Sequence, residues 1–299
     1  MKNFLYLLFS ALPLLAQTGP FPPAAGQPGS TAVSNGDESI LRWADRVELY
    51  VAGETASDPF RDPAAALGPA EGISNDGIVT LGQGGELEVS FSTAFENGEG
   101  AEFAIYENAF CDTFLELAFV EVSSDGLHFV RFPSQSLSVP LDVVSGISAT
   151  NVDGLAGKYV VGFGTPFDLQ DLPESPLLDL ENVRFVRLVD VVSGIAVDSL
   201  ERIIFDSFFP GNNLGFECDG VAALATKEFV IPVLSFVPEG GGFRFAWQSR
   251  VGGDYCVEGS SSLEPDSWEV MAEVVATTTT SSTLIISEEE RFFVRVRRK

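Results

Sequence analysis

The stretch Gly82-Gln83-Gly84-Gly85-Glu86-Leu87-Glu88-Val89-Ser90-Phe91 joins a four-residue turn signal to a strict alternation of polar and apolar side chains. A period of two puts Leu87, Val89 and Phe91 on one face of an extended strand and Glu86, Glu88 and Ser90 on the other, the pattern of a half-buried strand. The same period recurs in Ala118-Phe119-Val120-Glu121-Val122 and in Phe129-Val130-Arg131-Phe132. Val183-Arg184-Phe185-Val186-Arg187-Leu188-Val189 is longer and more apolar, and reads as a central strand. Glu96-Asn97-Gly98-Glu99-Gly100 and Ser123-Ser124-Asp125-Gly126 are turns between such segments. Helical periodicity is nearly absent, with one helix-tolerant turn at Asp62-Pro63-Ala64-Ala65-Ala66-Leu67. Many short strands at this spacing predict an all-β chain built as an antiparallel sandwich or barrel.

The chain has 299 residues, and a soft prior of roughly 150 per domain suggests two domains. Residues 40–228 carry the larger and 229–299 the smaller. In the latter, Phe243-Arg244-Phe245-Ala246-Trp247, Tyr255-Cys256-Val257-Glu258, Trp268-Glu269-Val270 and Thr283-Leu284-Ile285-Ile286 repeat the strand pattern. So short a domain has a thin core; Trp247, Tyr255, Trp268, Phe292 and Phe293 are read as filling it rather than as a sugar platform. Phe292, Val294 and Val296 alternate with Arg291, Arg295 and Arg297, so the terminal basic cluster is the solvent side of a last strand. At the other end, Lys2 followed by the apolar run Phe4–Leu12 and the small-residue site at Ala16 has the three-part plan of a signal peptide over residues 1–16. That run is too short to span a bilayer. Residues 17–39, rich in Pro, Gly, Ala and Ser, read as a flexible linker.

The 43 acidic and 17 basic residues give a net charge of −26. A phosphate backbone is repelled by such a field, which argues against nucleic-acid binding. The acidity belongs to the larger domain: residues 1–228 hold 33 acidic residues against 10 basic ones, and all but Asp37, Glu38 and Lys2 lie within 40–228. With 45% hydrophobic residues and 25 Phe, the chain has apolar surface enough for a core. His128, the single histidine, follows a turn and reads as a half-exposed strand residue; no serine sits in a Gly-x-Ser-x-Gly elbow, and Walker, HExxH and zinc-cluster motifs are absent. The three cysteines have no metal-ligand spacing. Either Cys111 and Cys218 form one bridge or all three are buried thiols.

Carboxylates remain. Calcium takes oxygen ligands from carboxylates, amides and carbonyls, often on loops at one end of a sandwich; a glycosidase needs only two acids flanking a cleft. The turns to consider are Asn75-Asp76-Gly77, Glu107-Asn108, Asn151-Val152-Asp153-Gly154, Asp206 and Glu217-Cys218-Asp219-Gly220. Asp76, Asp153 and Asp219 each precede glycine and serve as turn formers or as ligands. Glu107 follows the apolar strand Phe103-Ala104-Ile105-Tyr106, so it is expected to be partly buried and to need a cation or donor.

An ordered set of motifs resembles a family of secreted bacterial cell-surface proteins, some of which carry a PEP-CTERM sorting tail. It comprises Ala66-Leu67-Gly68-Pro69, Val79–Phe91, Phe103–Asn108, Glu116–Gly126, Asp153–Tyr159, Gly162–Leu169, Val186–Val192 and Gly215–Val221. The resemblance covers most of residues 66–225 and implies a galactose-binding-like jelly roll. Two features depart from it: the tail lacks the sorting signal, and Cys218 stands where the family favours an apolar residue. Gly252–Ser260, Leu263, Trp268 and Arg291–Val296 resemble a small C-terminal β-sandwich module of exported proteins.

The expectation is therefore an antiparallel jelly-roll β-sandwich followed by a smaller C-terminal β-sandwich, secreted or on the cell surface, with no transmembrane segment. Its expected function is non-enzymatic binding of a glycan or other cell-surface polymer, with Ca2+ ordering loops through Glu107, Asn108, Asp206 and Asp219. A carboxylate-pair glycoside hydrolase or polysaccharide lyase, and a structural matrix component, are the alternatives.

Overall fold

The computed structural model describes residues 19–73, 76–140, 147–207, 215–226, 233–249, 254–262, 264, 267–286 and 292–298. The expected signal peptide, 1–16, lies outside them. The chain divides into two compact units, Met1–Thr226 and Lys227–Lys299.

In the first unit the strands are β1 (Val33–Ser34), β2 (Ile40–Trp43), β3 (Arg46–Val51), β4 (Val79–Thr80), β5 (Glu86–Phe95), β6 (Phe103–Glu107) and β7 (Ala118–Ser123). They continue with β8 (Val130–Arg131), β9 (Gln135–Ser136), β10 (Val152–Asp153), β11 (Phe163–Phe167), β12 (Val183–Asp190) and β13 (Glu217–Leu224). One sheet has the order β1-β11-β6-β13-β2, with β4 also on β13; the other has the order β3-β5-β12-β7-β8, and every pairing is antiparallel. Leu87, Val89, Val120, Val122, Val186 and Leu188 of one sheet share a single core with Phe103, Ile105, Phe167, Val221 and Ala223 of the other. That shared core makes the unit a β-sandwich, and the faces are those the alternation dictates. The helix-tolerant stretch forms one 3-10 turn, Pro63–Ala66, capped by Asp62.

Phe103 is fully buried at the centre, with ring centroids of Phe167, Phe95 and Phe132 at 5.3, 5.5 and 5.8 Å. On the outer face of the second sheet the register sets Glu88, Arg187, Glu121 and Arg131 in one row across β5, β12, β7 and β8. Their charges alternate, and Arg187 bonds both Glu88 (3.1 Å) and Glu121 (3.4 Å).

Residues 19–39 depart from the expected flexible linker. Gly19 and Phe21 donate backbone N–H to Thr150, the Thr31 and Tyr159 hydroxyls stand at 2.9 Å, and β1 adds a two-residue edge to β11. Asn35 then ties the segment to Ala70 and Gly162. Composition alone suggested a chain unable to order itself, but here its polar backbone finds partners on the sandwich.

The second unit has strands β14 (Val233–Glu239), β15 (Gly242–Gln248), β16 (Asp254–Ser260), β17 (Glu269–Val275), β18 (Thr280–Ile285) and β19 (Phe293–Arg298). They form two three-stranded antiparallel sheets, β14-β15-β18 and β17-β16-β19. Phe245, Trp247 and Ile285 of one sheet pack with Tyr255, Val257 and Val296 of the other, with Phe292 against them. Arg295 lies over Trp268 and bonds Glu258 at 2.6 Å. Trp247 and Tyr255 are thus core residues. Among the described residues no helix is long and apolar enough to cross a membrane.

Truncating Phe103 to alanine leaves a cavity where both sheets meet and is expected to cost about 3–5 kcal/mol. Leu127→Ala, at a 79% exposed position, is expected to stay within about 0.5 kcal/mol. Urea denaturation of both variants checks the contrast.

Candidate functional site

The strand register gathers acids from distant parts of the chain at one end of the first sandwich. Glu107 ends β6 and faces Cys218 on β13; Glu217 opens β13 and faces Thr80 on β4. Glu116 lies two residues before β7, and Asp190, which ends β12, is paired with Ala118 on β7. Asp206 joins them because its carboxylate accepts Leu117 N–H at 3.3 Å. All five are buried, as is Asn108.

Local hydrogen bonds fix each side chain. Glu107 Oε2 accepts Ala109 N–H at 2.6 Å, and Asn108 Nδ2 donates to Glu217 Oε2 at 2.8 Å. Glu116 Oε1 accepts Gly215 N–H at 3.0 Å. Asp190 accepts Phe216 N–H at 2.8 Å and Gly84 N–H at 2.9 Å, so it anchors the Gly82–Gly85 turn to the start of β13. Gly215 has φ +109°, and a Cβ there would lie 2.7 Å from Asp190 Oδ1, so glycine is needed for this approach.

The site is electrostatically strained toward its protonated form. Burial, then the charges of Glu116 and Glu217, hold Glu107 well above the usual carboxylate range. Burial, with Glu217, Asp206 and Asp190 adding, pushes Glu116 up to about 9. Burial and Asp190 push Asp206 to about 8. Burial takes Asp190 only to about 6, because two backbone N–H groups oppose it. Burial also raises Glu217, against the Asn108 amide. Among the described residues, none of Glu107, Glu116, Asp190 and Asp206 has an ion pair with Lys, Arg or His.

Of the four residues predicted as ligands, Glu107, Asn108 and Asp206 come together here. Asp219 does not: its two oxygens accept Glu71 and Gly72 N–H at 2.9 and 3.0 Å, where the bulge after Cys218 turns it toward that loop. It anchors a turn. The bridge between Cys111 and Cys218 is not formed, and all three cysteines are free. Cys218 is sealed in the core between Val79 and Glu107 in the ladder, whereas Cys111 is partly exposed in a turn closed on Phe114, its Sγ 3.7 Å from Thr113 Oγ1. His128 is half-exposed, its Nδ1 2.8 Å from Asp125 Oδ2 on the same turn. Glu116 and Asp190 were missed as site residues. Each interrupts an apolar run, Leu115-Glu116-Leu117 and Val189-Asp190-Val191, a signal related to the one that singled out Glu107, which follows an apolar strand.

A second feature is an open groove of about 520 Å3, lined in part by Pro22, Thr31, Val33 and Ser39 from the N-terminal segment. Glu99, Asp153, Pro166, Asp168 and Asp171 line it from the body. Burial raises both Asp168 and Asp171, the latter also through Asp153. Behind this wall Lys158 is 4% exposed, 4.0 Å from Asp153, and burial lowers it to about 8. Compared with protein-family models, with curated proteins and with solved structures, the chain gives no match.

The raised acids set a pH dependence for the chelated, cation-free chain. In the unfolded state they ionise near the ordinary 3.8 for Asp and 4.5 for Glu. Between those values and the folded ones the folded state binds more protons, so the contribution of these acids to stability is full below about pH 4 and falls as pH rises. The fall runs through about 6, 8 and 9 for Asp190, Asp206 and Glu116, with Glu102, buried and raised to about 7, adding to it. Melting temperatures in chelator are expected to drop from pH 5 to pH 9, with a shallower drop in Glu116→Gln.

Proposed function

We propose that the chain is an exported, non-enzymatic binding protein whose first unit holds a glycan or another hydroxyl-rich surface polymer. The groove carries this reading. Its carboxylates and its Ser and Thr hydroxyls suit the dense hydroxyl groups of a sugar, and Pro22, Val33 and Pro166 offer apolar surface to the C–H faces. A site with a few polar groups converging over an apolar wall is the usual form of a small-ligand pocket. Export rests on the sequence pattern of residues 1–16 and on the resemblance to secreted cell-surface proteins.

A second reading, a carboxylate-pair glycoside hydrolase or polysaccharide lyase, has one observation in its favour. Asp168 and Asp171 both have raised affinity for a proton and share the groove with other acids, and glycosidic cleavage uses such a pair.

A glycan array and a depolymerisation assay on the same purified chain test both. Retention without product is expected. The exposed pair Glu99→Gln with Asp171→Asn is expected to weaken retention at least tenfold, about 1.4 kcal/mol, without lowering the melting temperature. Product formation abolished by Asp168→Asn would transfer the assignment to the hydrolase, and neither retention nor product would leave a structural component.

A further inference from the structure

We propose that β14 is a self-pairing strand, through which two copies of this chain join their second units into a dimer about a two-fold axis. The interface belongs to the second unit alone and does not depend on what the groove of the first unit holds.

The strand is open along its whole length. In the sheet β14-β15-β18 it bonds β15 on one side, and among the described residues no strand lies on the other. Such a border presents a row of backbone N–H and C=O groups to any incoming strand. Val233, Leu234, Phe236 and Val237 are all exposed on it. The register gives the faces. Phe236 stands opposite Phe245 and Pro238 opposite Phe243, while Phe243 also stands opposite Ile285 of β18. Directly opposed residues share a face, and Phe245 and Ile285 belong to the core. Phe236 and Phe243 therefore lie on the inner face, stacked at 4.6 Å with 9° between their rings. Yet they are 47% and 41% exposed, so the core closes over Phe245 and Ile285 and stops short of this pair. The unit's own two sheets leave an aromatic surface uncovered beside a free strand edge.

Charge decides the occupant. Residues 229–299 hold 10 acidic and 7 basic residues, against 33 and 10 in residues 1–228. A second copy that docks through this part meets a nearly balanced surface, whereas the first units repel each other. Other border strands carry charges within them: Arg46 and Glu48 in β3, Glu269 and Glu273 in β17, Arg295 and Arg297 in β19. The far border of the same sheet, β18, is hydroxylated at four of its six residues. β14 has one charge, Glu239 at its end, which Arg244 of the same hairpin holds at 2.6 Å. An antiparallel mate centred on Phe236 sets that residue against its own copy and Val233 against Glu239, so no like charges stand opposite each other. Phe236 and Phe243 of both copies then meet on one continuous inner face. Pro238 has no N–H to offer and ends the ladder. Two-fold pairing uses the one free edge of each β14, so association closes at two copies.

The test is sedimentation velocity and light scattering of the full chain from about 1 μM to about 1 mM. A monomer–dimer equilibrium is expected with a dissociation constant on the order of 10⁻⁵ M, since one strand and one aromatic pair per copy make a small interface. It is expected to tighten as ionic strength rises from about 0.01 M to about 1 M, because salt screens the repulsion between the acidic first units. Phe236→Lys and Phe236→Glu are each expected to weaken association at least tenfold by placing like charges at the two-fold axis. An equimolar mixture of the two is expected to recover it as a heterodimer. Leu127→Lys, in the first unit, is expected to change nothing. Hydrogen exchange on the parent chain gives a reading free of any folding defect in the variants: amides of residues 233–239 are expected to exchange more slowly in concentrated than in dilute protein. A chain that stays monomeric at every concentration overturns the proposal. So does a dimer that both Phe236 variants leave intact, a mixture that fails to recover, or β14 exchange that is independent of concentration.

Discussion

Phe95 of one sheet and Phe167 of the other both press on Phe103, so the two layers of the first unit are locked against sliding at the level of these rings. Packing at interior density leaves no slack for a strand to shift by part of a residue. The ends of β6, β7, β12 and β13 are therefore fixed relative to one another by the aromatic centre. Acids at those ends cannot drift apart to relieve their repulsion. The raised proton affinities of Glu107, Glu116 and Asp206 are the electrostatic record of a geometry that the core imposes.

The same rigidity accounts for the division of labour among the acidic residues. Asp190 and Asp219 have both oxygens taken by backbone N–H groups, so they act as fasteners for the Gly82–Gly85 turn and for the Glu71–Gly72 loop. Glu107 and Glu116 are each held through one oxygen by a backbone donor, and Glu217 by an amide. Number and charge of neighbours matter less here than how many oxygens the backbone has already claimed.

Much of this was legible in the chain. The period-two runs named the inner faces correctly, since Leu87, Val89, Phe91, Val120, Val186 and Leu188 all lie in the core. The rule that picked out Glu107, an acid closing an apolar strand, also describes Asp190 and would have found it; Glu116, which precedes β7, needed the related signal of a lone acid flanked by leucines. Asp219 misled because a turn-like Asp-Gly pair gives no hint of whether a cation or two N–H groups will satisfy it. The N-terminal segment misled for a different reason. Its composition does make self-ordering impossible, but Thr150, Tyr159 and β11 supply the partners from outside, and the segment then becomes one wall of the groove.

The lengths of the outermost strands have a consequence for how copies of this chain behave at high concentration. One layer of the first unit ends in β1 and the other in β8, each only two residues long. An incoming strand would find too few free amide and carbonyl groups there to zip onto. On those two borders the sandwich resists templated fibre growth, a useful property for an acidic, phenylalanine-rich chain.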